Sequence, residues 1–102
     1  MSETTVFDDL ELLDGGDLKA VFEQVPRDEV VAALWGANAS LRGRLLLKLA
    51  KRHVTPIQQA IDATEHLTFE AVRNAQQKIV AVMCQLSRGG QIAFDVPEDM
   101  AA

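Results

Sequence analysis

Between Thr68 and Arg88 the chain has neither glycine nor proline, and Val72, Gln76, Ile79, Val80, Met83 and Leu86 recur on one face of a 3.6-residue helix. A helix of this length is roughly 30 Å long at about 1.5 Å per residue, so its apolar stripe needs cover along its whole extent. The five apolar members could each contribute about 1.5–3 kcal/mol on burial. The rest of the chain must supply that cover, and it is cut into shorter pieces.

Glycine and proline do the cutting, and no segment alternates with period two, so the pattern predicts an all-α fold. A first short helix over about 5–13 ends at Asp14, Gly15 and Gly16. Leu18, Val21, Phe22 and Val25 then form one face of a second helix, which Pro26 stops. A third, over 27–35, presents Val30, Val31 and Leu34 and closes at Gly36. Ser40 is the expected N-cap of a fourth helix running to about His53. Thr55 and Pro56 read as N-cap and first turn of a fifth, ending near Glu65. Thr68 caps the last, and Gly89 and Gly90 stop it. The expectation is a compact single-domain bundle of about six helices over residues 1–92, with a long C-terminal helix and a frayed acidic tail at 93–102.

A length of 102 residues with 48% apolar content suits one domain with one core. Cys84 is the only cysteine, which excludes an intrachain disulfide and fits a reducing compartment. The first residues, Met1, Ser2, Glu3 and Thr4, have neither the basic region nor the apolar core of a secretory signal, and no run is long enough to span a bilayer. The expected product is a cytoplasmic protein with no membrane insertion. A formal charge of −5 argues against nucleic acid as the partner, since phosphate contacts demand cations.

The charges are unevenly spread. Residues 1–17 hold Glu3, Asp8, Asp9, Glu11, Asp14 and Asp17 with no basic residue, whereas residues 41–54 hold Arg42, Arg44, Lys48, Lys51 and Arg52 with no acidic one. On a continuous fourth helix Arg44, Lys48, Lys51 and Arg52 share about a third of the circumference, a basic face opposite Leu46, Leu49, Ala50 and Val54. That face is either satisfied by the acidic N-terminal segment or open to an acidic protein partner. Trp35, on the edge of the third helix, either packs across the core margin or stands exposed as an interface anchor, a position from which self-association is also open.

Catalytic signatures are missing: the glycine pairs open no phosphate-cradling loop, Ser40 and Ser87 have no nucleophile-elbow context, and His53, His66 and Cys84 have no zinc spacing. The expectation is a protein without enzymatic activity, cofactor or metal.

Phe7, Asp8, Asp9 and Leu10; Leu34, Trp35, Gly36 and Ala37; Arg52; Val72; Ala75 and Gln76; Ile79 and Val80; Leu86; and Gly90, Gln91 and Ile92 form an ungapped series over residues 5–92. In joint spacing the series resembles the C-terminal helical domain of the flagellar motor switch protein FliG, the part of the rotor that meets the stator. The resemblance implies an all-α fold and a role in the flagellar motor through protein contacts, with the stator or other switch components as partners and a peripheral position at the basal body. It also marks a difference. The family's ridge of alternating charge carries a lysine where this chain has Trp35, two aspartates where it has Gln59 and Ala60, and an arginine where it has Thr68; Arg52 alone keeps the family identity. A stand-alone, diverged relative acting as an adaptor or regulator with a different protein partner is the alternative reading.

Overall fold

The computed structural model describes residues 7–92. The first residues of the expected first helix and the whole of the acidic tail at 93–102 lie outside that range. A 3₁₀ helix, Phe7–Leu12, is followed by α1 (Gly15–Glu23), α2 (Arg27–Trp35), α3 (Ala39–Leu47), α4 (Lys51–Ala63) and α5 (Phe69–Arg88), and no strand occurs among the described residues. The all-α bundle with a long final helix is as the sequence pattern implies.

Helix α5 organises the core. Ala75, Ile79, Met83 and Leu86 are buried against α2, α1 and the 3₁₀ helix, and Leu10, Leu18, Val21, Leu34 and Leu45 complete a continuous apolar interior. Close approach of α5 to the end of α2 depends on Gly36, because a Cβ there would lie 2.1 Å from Cγ1 of Val72. Gln76, polar on an otherwise apolar face, donates from Nε2 to the Ala33 carbonyl at 3.0 Å and so satisfies one of the carbonyls that a helix end leaves unpaired. The helix is bounded by its own sequence. Thr68 Oγ1 accepts from the Ala71 amide at 3.0 Å, while Gly90 at φ +72° lets the Gln91 amide reach the Leu86 carbonyl and its own amide reach that of Ser87, a Schellman closure.

Helix α1 buries Leu18, Val21 and Phe22, with Val25 just beyond it, as their spacing predicts. Gly15 and Gly16, expected as a turn, instead form the first residues of α1, with Asp14 Oδ1 accepting from the Asp17 amide at 2.8 Å as N-cap. Gly15 has a steric reason to be glycine: a Cβ there would sit 2.3 Å from the backbone oxygen of Lys48.

That contact marks the main departure from the sequence reading. The expected fourth helix over 40–53 is two elements, with α3 ending at Leu47 and α4 beginning at Lys51. The cap of α3 is Asn38, whose Oδ1 accepts from the Leu41 amide at 2.8 Å, and not Ser40. No glycine or proline lies in the break at residues 48–50; the packing of the Lys48 backbone against the start of α1 accompanies it. Thr55 and Pro56 do not begin the next helix either. Ala50 occupies the N-cap without a side-chain hydrogen bond, and Pro56 sits inside α4, where it removes the donor for the Arg52 carbonyl one turn back. An interior proline costs about 3 kcal/mol, and here the burial of Ile57 and Ile61 opposes that cost.

Candidate contact surface

Splitting the basic segment divides its cations between two structural roles. Helix α3 packs beside the 3₁₀ helix, which brings Arg44 and Lys48 onto the acidic N-terminal segment. Arg44 donates from Nε to the Glu11 carboxylate and from Nη1 to Ser40 Oγ. Lys48, at the C-cap of α3, turns its ammonium into the end of the 3₁₀ helix and donates to the carbonyls of Glu11 and of Leu13, the latter at 2.6 Å. A cation on unpaired carbonyls at a helix C-terminus is favourable for both hydrogen bonding and charge. Arg42 does the same for α2, its Nη1 lying 3.4 Å from the carbonyls of Leu34 and Trp35.

Lys51 and Arg52 are different. Both are exposed and both stand in the first turn of α4, the positive end of the helix dipole, where no acidic residue accompanies them. Arg52 Nε donates to His53 Nε2 at 3.4 Å, and Lys51 makes no side-chain hydrogen bond or ion pair with any described residue. His53, expected near a helix C-terminus, belongs to this N-terminal turn. The single basic face over Arg44, Lys48, Lys51 and Arg52 is therefore corrected: the first two are tied to the N-terminal segment and the last two face outward from another helix.

Trp35 takes neither of the two extremes open to it from sequence. It is half-buried at the end of α2, packed against the core on one side, with its ring edge-on to His66 at a centroid distance of 6.3 Å and an interplanar angle of 87°. Such a pair contributes about 0.5–1.5 kcal/mol beyond its burial. His66 lies in the α4–α5 connection, so the indole ties that loop to α2. Phe69, 81% exposed at the start of α5, adds an apolar side chain next to the same connection. Cys84 is buried and free, as its position on the apolar side of α5 suggests.

Glu11 and His66 are the partners that sequence inspection did not single out. The acidic and basic segments pointed to their pairing, but nothing in the pattern chose Glu11; the sequence marks His66 only as a loop residue without zinc spacing, and nothing in it pairs His66 with Trp35. Among the described residues no group of His, Cys, Asp and Glu side chains could hold a metal ion, and no helix is long and apolar enough to cross a membrane.

The geometry defines a small all-helical domain that turns exposed cations, one half-buried indole and a few exposed apolar side chains outward. The model of the FliG C-terminal domain family matches residues 1–94, and the chain belongs to that family. It is similar to the flagellar motor switch protein FliG of Thermotoga maritima, with 26% identity over 87% of this chain, and to those of Pseudomonas aeruginosa and Vibrio cholerae, each with 25% identity over 87% and 85%. The aligned region covers 27%, 26% and 25% of those relatives, so the chain spans about a quarter of their length.

Proposed function

We propose that this domain is a non-catalytic protein–protein contact module of the flagellar motor switch, acting on the cytoplasmic side as a peripheral part of the basal body. The observation that carries the proposal is the family match over residues 1–94 together with relatives named as flagellar motor switch proteins. The contact positions are Lys51 and Arg52 at the start of α4 and, beyond the other end of that helix, Trp35 on His66; the partner of the cations presents acidic side chains, as a stator or another switch component would. Arg44 and Lys48, included in the candidate surface from sequence, support it by holding α3 and the 3₁₀ helix together.

Three of the family's ridge charges are absent at Trp35, Gln59 and Ala60, and a fourth at Thr68, where the hydroxyl instead caps α5. Exposed pairs contribute about 0.2–1 kcal/mol each, so losing several reduces a charge-driven contact substantially. The test is a chimera in which this domain replaces its counterpart in a FliG protein. Assembly into the switch with weak or absent rotation, and slower partner association in the Lys51→Glu/Arg52→Glu variant, are the expected results. A folded chimera that fails to enter the switch would overturn the motor role.

A further inference from the structure

A cleft of about 300 Å³ opens where the end of α1, the start of α2 and the first turns of α4 converge. Phe22, Val25, Val30, Leu49 and Ile57 form its apolar floor. Its rim carries Lys19, Glu23, Arg27 and His53, and Glu23 is already drawn to Lys19 at 3.9 Å. Lys51 and Arg52 belong to the same turn of α4 as His53, and Arg52 is hydrogen-bonded to it. The mouth of an apolar cleft thus carries Lys19 and Arg27 against the single carboxylate of Glu23, with Arg52 held to the rim histidine His53. A segment that alternates apolar and acidic side chains is the complementary ligand.

Such a segment follows α5 in this chain. After Arg88 there is no basic residue, and Ala93, Phe94, Asp95, Val96, Pro97, Glu98 and Asp99 place two apolar side chains two positions apart among three acids. It also starts in the right neighbourhood. Gln91 shares a shallow groove with Gln24, and Gln24 lies between Glu23 and Val25, which line the cleft. Residues 93–99 can span up to about 23 Å when extended.

We propose that the cleft between α1, α2 and α4 is the docking site of the chain's own acidic segment 93–99. Phe94 and Val96 enter the apolar floor, and Asp95, Glu98 and Asp99 lie against the cations of the rim. The segment is tethered beside its site, so a weak intrinsic affinity suffices for occupancy because the effective concentration of a short tether is in the millimolar range. Apolar contact gives the docking its register, and charge makes it sensitive to salt.

The contact is measured in the full chain alone, without any motor partner, so it stands or falls apart from the proposed function. In isotope-labelled protein at low ionic strength, nuclear Overhauser contacts are expected from the Phe94 ring to the methyl groups of Val30 and Ile57. Phe94→Ser should shift those methyl resonances while leaving the amides of α5 in place. Arg27→Glu, or raised sodium chloride, should reduce the docked population several-fold. A synthetic peptide of residues 92–102 added to the Phe94→Ser chain should move the same methyl resonances back. Absence of Phe94 contacts with unmoved methyl resonances in Phe94→Ser would overturn the proposal. So would contacts seen only between labelled and unlabelled copies in a mixed sample, which would mean that the segment docks on a second molecule.

Discussion

Arg44 and Lys48 on one side of the break at residues 48–50, and Lys51 and Arg52 on the other, are chemically alike and adjacent in sequence, yet they do opposite things. The first pair is consumed internally: Arg44 on the Glu11 carboxylate, Lys48 on the carbonyls of Glu11 and Leu13. The second pair stands exposed at the positive end of α4, where the dipole repels it. A cation at a helix C-terminus is stabilised by its position; one at an N-terminus is retained in spite of it. Charge counting cannot separate the two cases, because what differs is which end of which helix each residue occupies.

The most severe way to break this comparison is to prevent the α3–α4 junction from forming. Gly15→Ala would force a methyl carbon against the Lys48 carbonyl at 2.3 Å, a backbone atom that cannot rotate away. A loss of about 2–4 kcal/mol is expected in urea unfolding, at or above the upper end of ordinary overpacking. Should Gly15→Ala unfold at the same urea concentration as the parent, the junction is looser than its geometry indicates.

Removing the ammonium while keeping the stem comes next. Lys48→Met should cost about 2–3 kcal/mol, since it leaves the part-buried carbonyls of Glu11 and Leu13 without their charged donor. Lys51→Met, as the matched control, should change stability by no more than about 0.5 kcal/mol. Equal losses in the two variants would erase the distinction between them.

Arg44→Ala sharpens the inner side of the comparison. Its pair with Glu11 is solvent-accessible, so the coupling energy from a double-mutant cycle with Glu11→Ala should be at most about 1 kcal/mol. A coupling well above that would make Arg44, and not Lys48, the principal tie to the 3₁₀ helix.

The smallest effect has the most informative sign. Replacing Lys51 by glutamate puts an anion at the N-terminus of α4 and should raise stability by about 0.3–1 kcal/mol at low salt, while slowing association with an acidic partner. A destabilised Lys51→Glu variant would show that Lys51 has a structural partner and would remove it from the proposed contact surface.

Much of the fold was legible because its signals are local. The Leu18, Val21, Phe22 and Val25 face of α1 and the Thr68 cap of α5 each arise from residues within a turn or two of one another. The glycine closure at Gly89 and Gly90 is equally local. The break between α3 and α4 was not legible: residues 48–50 have no punctuation, and Thr55–Pro56 offered a helix start that went unused. Of the candidate site, Arg52 and Lys51 were found for their charge, but their separation from Arg44 and Lys48 was hidden by the same break. For Trp35 the sequence left core margin and exposed anchor both open, and its half-buried pairing with His66 joins residues far apart in sequence and depends on the α4–α5 loop folding back onto α2.

Sequence by itself determined the helical class, the apolar faces that build the core and the family, since periodicity, caps and joint residue spacing are properties of the chain read in order. Only the tertiary structure decided where the basic segment bends and which of its cations remain outward. That outcome rests on contacts between residues more than thirty positions apart, Gly15 against the Lys48 carbonyl and the Lys48 ammonium on Glu11 and Leu13, and no local pattern records such a contact before the chain has closed on itself.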